Sequence, residues 1–392
     1  DENRAKTEIF TAASREECRK ISAQSLVLLK NNNQLLPLKK SGTIALIGPL
    51  ADAKNNMSGT WSVATKGENC ISLLAGIQEV AGKSTKVLYA KGSNLDYDET
   101  FETNATMFGK TLNRDSRSKE EMIAEAVKIA NQSDVIIAAI GESAEMSGES
   151  SSRANIKIPQ AQKDLLNELI KTGKPIVLTL FNGRPIDLTD ENATVSAILN
   201  TWFAGSEAGY AIADVLFGDV NPSGKLTTTF PRSVGQIPIY YAHKNTGRPL
   251  VNTEGKFEKF RSNYIDERNE PLFPFGYGLS YTKFEYSNLK ISADKMNSNG
   301  KITVSVEVAN TGNFDGKEVV QLYIKDVIGS VTRPVRELKG FQKITLKKGE
   351  RQMLKIVSTT KWLVLSMFVL GISMNPSSVN AQNSRKVSEY NL

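Results

Sequence analysis

Short apolar runs alternate with helical stretches through the first half of the chain, and this alternation constrains the fold more than any other feature. Strands separated by helices at such spacing predict an α/β domain, a mostly parallel sheet between layers of helices, over residues 14–232. The predicted strands are residues 42–48, 86–89, 135–140, 175–181 and 195–200. The predicted helices are residues 16–29, 73–80, 119–131, 160–172 and 206–217.

The pattern changes after residue 232. Residues 233–285 are rich in proline, glycine, asparagine and tyrosine, which predicts an ordered connector. From Thr303 apolar and polar residues alternate, which predicts an antiparallel β-sandwich of fibronectin type III or immunoglobulin type over residues 286–360. Such a sandwich usually has about seven strands. We therefore expect a truncated one.

Residues 361–392 carry the parts of a secretory signal peptide. Lys361 precedes an apolar stretch over residues 362–374, and Val379 and Ala381 form a small-residue cleavage pattern. The apolar stretch is shorter than the roughly 20 residues that span a membrane. Because signal peptides belong at an amino terminus, we interpret this segment as a junction to foreign sequence, with a late β-strand of the sandwich as the alternative.

Charge and residue counts exclude several kinds of chemistry. The 49 basic and 42 acidic residues are spread without a basic block, so we expect no nucleic-acid partner. The single histidine, His243, cannot form a multi-histidine metal centre and lies in a turn-rich segment that does not favour a catalytic triad. Cys18 and Cys70 match no zinc or redox spacing. Carboxylates remain as acid and base groups, and we expect no metal, cofactor or membrane partner.

One loop gathers such carboxylates. Residues 141–153, the acidic loop, follow the predicted strand 135–140 and carry Glu142, Glu145, Glu149 and Arg153 among glycines and serines. Open α/β folds bind their ligands at the carboxyl edge of the sheet, where this loop begins. A solvated loop without function is the alternative.

Several long motifs occur in order along most of the chain, the longest being SLVLLKNNNQLLP from Ser25, WFAGSEAG from Trp202, LFGDVNPSGKL from Leu216 and PLFPFGYGLSYT from Pro271. Together they resemble the carboxyl-terminal half of glycoside hydrolase family 3, in particular bacterial β-glucosidases. The resemblance implies an α/β domain followed by a fibronectin-like domain. In that family a (β/α)8 barrel comes first and carries the nucleophilic aspartate. Residues 1–13 look like the linker that leaves this barrel, so we expect the barrel to be missing here.

The resemblance also implies roles for the loop residues. Family members of this kind retain the anomeric configuration through two carboxylates about 5 Å apart. The family pattern selects Glu149 as the acid/base residue, with Glu142 as the second candidate and Glu145 as the third. Glu142 and Arg153 are expected at the substrate site, Glu142 mainly holding the loop and Arg153 orienting carboxylates or contacting a sugar hydroxyl. Trp61 is expected to stack on a sugar, with packing between domains as the alternative.

The expected function is the acid/base half of a retaining, exo-acting β-glucosidase that hydrolyses β-linked oligosaccharides in the periplasm or outside the cell. The isolated chain is expected to be inactive, since its nucleophile would lie in the barrel. The alternative is a non-catalytic carbohydrate-binding module. A nucleotide-binding domain is disfavoured because no glycine fingerprint is present. Barrel residues choose the sugar in that family, and no oligomeric state is implied.

Overall fold

The computed structural model describes residues 2–62, 65–105, 112–250, 257–295, 300–359 and 368–372. The chain divides into two compact units, Asp1–Gly224 and Lys225–Leu392.

The first unit contains a six-stranded sheet with the order β1-β6-β5-β4-β2-β3. Its elements are α1 (Glu2–Glu8), α2 (Ala12–Ser25), β1 (Val27–Asn31), β2 (Gly42–Ile47), α3 (Leu73–Val80), β3 (Thr85–Ala90), α4 (Glu99–Asn104), α5 (Lys119–Asn131), β4 (Val135–Gly141), α6 (Gln160–Lys171), β5 (Ile176–Phe181), α7 (Thr189–Thr194), β6 (Ala197–Asn200) and α8 (Ala208–Leu216). Strands β2 to β6 pair in parallel. Every residue of β4 and β5 is buried, as in parallel sheets covered on both faces. The predicted mostly parallel sheet is confirmed.

Local sequence explains where several helices begin. Ser118 and Glu121 form a capping box at the start of α5, in which each side chain bonds the other residue's backbone N–H. Ser72 caps α3 through the Ala75 N–H. The segment that follows the acidic loop ends at Pro159, directly before α6.

The prediction of one helix over residues 16–29 is wrong in its second part. Helix α2 ends at Ser25, and Val27–Asn31 forms β1, which pairs antiparallel with β6. Val27, Leu28 and Leu29 are buried. Their apolar run fits a helix or a strand equally well, and only the distant partner β6 decides between them.

Within its described residues, the second unit contains two three-stranded antiparallel sheets, with the orders β11-β8-β7 and β10-β9-β12. Its strands are β7 (Phe284–Ile291), β8 (Lys301–Asn310), β9 (Gly316–Asp326), β10 (Glu337–Leu346), β11 (Arg351–Thr359) and β12 (Phe368–Ile372). Val306, Val308, Val320, Ile344, Leu346 and Leu354 form a core drawn from both sheets. The predicted antiparallel β-domain is confirmed, and β7 is an additional strand, before the alternating pattern that begins at Thr303.

Of residues 361–392 the structure describes only β12, which pairs antiparallel with β9. Lys361, Val379 and Ala381 lie outside the described residues. The interpretation of this segment as a junction therefore stays a prediction.

Candidate active site

The loops after β2 and β4 meet at the carboxyl edge of the sheet. The chain runs from β2 outward to β3 and returns to β4 on the other side of β2, so these two strands flank the point where the strand order reverses. Open α/β folds bind ligands at this switch point. The acidic loop follows β4, and the loop over residues 48–62, the β2 loop, follows β2.

Polar bonds join these two loops. The Thr60 hydroxyl donates to Oε2 of Glu145 at 2.8 Å. The backbone N–H of Ala144 donates to Oδ1 of Asn56 at 2.6 Å. Gly148 lies so close that a Cβ there would be 2.5 Å from Cγ2 of Thr60. The β2 loop therefore forms one wall of the acidic loop.

The acidic loop begins at a backbone position that only glycine fits. Gly141 has φ +136°, and a Cβ there would lie 2.0 Å from the carbonyl oxygen of Phe181 on β5. The Gln162 side chain on α6 accepts from the Gly141 N–H at 2.8 Å and donates to its carbonyl at 3.0 Å. The Gln162 side chain thereby holds both the N–H and the carbonyl of Gly141 at the end of β4.

Glu142 is a fully buried carboxylate between two arginines. Its Oε1 lies 2.9 Å from Nη1 of Arg153 and 3.0 Å from Nε of Arg184, and Gly183 N–H donates to its Oε2 at 3.2 Å. The Arg184 Nε hydrogen is not aimed at this oxygen, so that contact is an ion pair without a hydrogen bond. A buried charge must be paired, and here two cations share one anion.

Arg184 is not among the site residues that the sequence predicts. Its Nη2 donates to the carbonyl oxygens of Met146 and Ser151, the latter at 2.6 Å. The residue follows the predicted strand 175–181 in the segment Asn182-Gly-Arg-Pro, at the same edge as the acidic loop. That shared edge was the sequence clue to its position.

Glu149 lies between these two carbonyls in the loop and is exposed. Among the described residues its carboxylate has no ion pair and no hydrogen bond. Its carbonyl accepts from the Ser151 hydroxyl at 3.3 Å, and Ser150 has φ +57°, which is unusual outside glycine. Trp61, beside Thr60 in the β2 loop, is 72% exposed.

No cluster of histidine, cysteine and carboxylate side chains suited to a metal occurs within the described ranges. In those same ranges, no helix combines the length and apolar character needed to cross a membrane.

Residues 26–281 match the glycosyl hydrolase family 3 C-terminal domain, and residues 318–364 match a fibronectin type III-like domain. This sets the class, an α/β domain of the glycosyl hydrolase family 3 C-terminal type followed by a fibronectin type III-like β-sandwich. The chain belongs to glycoside hydrolase family 3. The family 3 match continues past Gly224, where the first compact unit ends.

Individual relatives agree. The chain is 54% identical over 338 residues to a periplasmic β-glucosidase of Salmonella typhimurium, covering 86% of this chain and 44% of that protein. It is 39% identical over 349 residues to a β-xylosidase of Formosa agariphila, covering 88% and 44%. Among solved structures, a β-glucosidase of Listeria innocua in complex with isofagomine matches with a TM-score of 0.81 and 37% identity, covering 90% of this chain and 46% of that one. The chain thus spans somewhat less than half the length of these relatives.

Proposed function

We propose that this chain supplies the proton-transferring half of a retaining β-glucosidase site, with Glu149 as the acid/base residue. The observation that carries the proposal is the different state of the loop's three glutamates. Glu142 is buried against two arginines, and Glu145 accepts a bond from Thr60. Glu149 is exposed and, among the described residues, unpartnered. A general acid must reach the substrate oxygen, and Glu149 meets that requirement.

In the retaining mechanism the protonated Glu149 carboxyl donates to the glycosidic oxygen while a nucleophilic carboxylate attacks the anomeric carbon. The leaving alcohol departs with that proton. The Glu149 carboxylate then takes a proton from the water that attacks the glycosyl–enzyme ester, which frees the nucleophile and restores the acid. We assign the nucleophile to a (β/α)8 barrel of the kind that precedes this segment in the family.

The other loop residues have supporting roles in this proposal. Glu142 and Arg153 shape the substrate site by holding the acidic loop, since a carboxylate with no exposed surface cannot itself touch a sugar. The exposed Trp61 offers an aromatic face for stacking at the outer edge of the site. β-Linked glucosides are the proposed substrates because a Listeria innocua β-glucosidase was solved with laminaribiose. The name of the Salmonella relative, a periplasmic β-glucosidase, supports a periplasmic or secreted location.

The test compares the chain alone with the chain mixed with a separately expressed family 3 barrel. Phenyl β-glucoside has a poor leaving group that needs protonation, whereas dinitrophenyl β-glucoside does not. We expect little turnover by the chain alone and measurable turnover by the mixture. Glu149→Gln should slow phenyl glucoside hydrolysis by roughly 10²–10⁴-fold, the usual contribution of general acid catalysis. Cleavage of the dinitrophenyl substrate should fall much less, and azide should form a β-glucosyl azide.

The matched control is Glu145→Gln, which removes the same single negative charge from the loop as Glu149→Gln but leaves Glu149 in place. Equal loss in both variants would contradict the assignment of Glu149. Full turnover by the chain alone would contradict the need for a barrel nucleophile. If the mixture stays inactive while calorimetry shows that the chain binds laminaribiose, the non-catalytic carbohydrate module becomes the better account.

A further inference from the structure

We propose that Arg184 is a positioning residue that holds the turn presenting Glu149, an inference that rests on the proposed function. The Nη2 group of Arg184 donates to the carbonyl oxygens of Met146 and Ser151. These residues lie on either side of Glu149 in the chain. One guanidinium therefore ties together the two ends of the short turn over residues 146–151.

The tie is strong because the guanidinium itself is held. The Arg184 side chain is 21% exposed, and its Nε lies 3.0 Å from the buried Glu142 carboxylate. The Asn182 side-chain amide donates to the Arg184 carbonyl at 2.8 Å, which fixes the backbone beneath it. Gly183 packs so tightly on the loop that a Cβ there would lie 1.8 Å from Oγ of Ser147. Gly183 and Arg184, which follow β5, thus contact the acidic loop at consecutive positions.

Within the turn, the other ties are weak. The Ser147 N–H reaches the Ala144 carbonyl at 3.4 Å, and the Ser151 N–H reaches the Gly148 carbonyl at 3.3 Å, both beyond the usual range for strong bonds. Gly148 and Ser150 both have positive φ, at +138° and +57°. Bonds from a charged donor are about twice as strong as neutral ones. Arg184 therefore contributes the principal polar restraint on this turn among the described residues.

Arginine is suited to this task and lysine is not. The planar guanidinium presents several donors in a fixed fork, so it can serve two carbonyls and face a carboxylate at once. Arg153 provides a matched comparison. It also pairs with Glu142, but its second bond goes to the Lys157 carbonyl at 2.9 Å, beyond the turn. Removing either arginine takes one cation from Glu142, but only removing Arg184 unties the turn.

Hydrogen exchange on the full 392-residue chain tests whether Arg184 restrains the turn, and this measurement does not require enzymatic activity. In Arg184→Met we expect amides of residues 146–151 to exchange at least tenfold faster. The reason is that the turn can then open locally without breaking the hydrogen bonds from the Arg184 guanidinium. Strands β4 and β5 should keep their protection. In Arg153→Met the faster exchange should centre on residues 154–158. Circular dichroism checks that each variant folds, and Arg184→Lys offers a milder second variant. Unchanged exchange of the turn in Arg184→Met and Arg184→Lys would overturn the proposal.

Kinetics of the chain mixed with a family 3 barrel test the consequence for Glu149. Misplacement of a catalytic group by about 1 Å can cost roughly 10²-fold. Arg184→Met should therefore slow phenyl β-glucoside about that much and dinitrophenyl β-glucoside far less, with partial recovery in Arg184→Lys. Equal slowing of both substrates would overturn the positioning role. If Glu149→Gln itself shows no leaving-group dependence, the assignment of Glu149 fails instead, and exchange still decides whether the tie exists.

Discussion

Replacing Glu142 by glutamine tests whether the acidic loop is built on a buried charge. Glutamine keeps the size of the side chain and one acceptor oxygen, but it removes the negative charge. The guanidinium groups of Arg153 and Arg184, both within about 3 Å of the carboxylate, then face each other without an anion between them. The perturbation is therefore electrostatic and not a change of packing.

The magnitude follows from the burial of the three side chains. Breaking a buried pair by removing one partner costs about 3–5 kcal/mol. Glu142 is 0% exposed, but Arg153 and Arg184 are 12% and 21% exposed and keep some contact with water. We therefore expect the lower end, a loss of about 3 kcal/mol in the free energy of unfolding. For a domain of this size, each kcal/mol shifts Tm by about 2–4 °C, so Tm should fall by about 6–12 °C.

Urea and thermal unfolding, followed by tryptophan fluorescence, measure this loss, since Trp61 and Trp202 both lie in the first unit. Glu145→Gln is the matched control. Its carboxylate is only partly buried and accepts one neutral bond, so the loss should be about 1 kcal/mol. The reasoning is refuted if the free energy of unfolding of Glu142→Gln lies within about 1 kcal/mol of that of the unmodified chain, or if Glu145→Gln is destabilised as much as Glu142→Gln.

Three further predictions concern the first unit. Gly183→Ala should displace the acidic loop, because its Cβ would lie 1.8 Å from a serine oxygen, and should lower activity with the barrel, whereas Gly247→Ala, with no neighbour within 4 Å, should not. Asp214→Asn breaks a bidentate pair with Arg19 that joins α8 to α2, and should cost about 2 kcal/mol in urea unfolding with loss of amide protection in α2. Burial raises the pKa of the Glu191 carboxyl in the folded state. As pH rises above about 4, the unfolded chain loses the carboxyl proton before the folded chain does, so the free energy of unfolding falls. Glu191→Gln should therefore be more stable than the unmodified chain at pH 7, and urea titrations should show the difference vanishing near pH 4.

Much of the first unit was predictable because its helices and buried strands are locally consistent. The capping box at Ser118 marks the start of a helix, and the all-apolar sequence of β4 indicates a buried strand. Each signal lies within a few residues. Strand β1 was not predictable in this way. The run from Val27 has no local mark that separates it from the helix before it, and its pairing partner β6 lies far along the chain.

The same division holds for the candidate site. The acidic loop could be located because it directly follows a recognisable strand, and its glutamates are visible in the sequence. The arrangement of those glutamates could not be predicted, because it depends on Arg184, which comes from a different strand exit. Sequence spacing does not indicate which of the loop's carboxylates Arg184 pairs with, because Arg184 lies far from them along the chain. Its pairing with Glu142 distinguishes this buried carboxylate from the exposed Glu149.

The glycine contacts of the acidic loop have a practical consequence for protein engineering. Gly141, Gly148 and Gly183 each lie where a side chain would collide with a neighbouring loop or strand. A mutant library that varies these positions would mostly yield misfolded clones. Half-exposed Ser151 carries no such restriction, whereas the positive φ of the exposed Ser150 favours glycine, asparagine or aspartate there. Directed evolution of leaving-group preference should therefore randomise the outward side chains around Glu149 and leave the glycines unchanged.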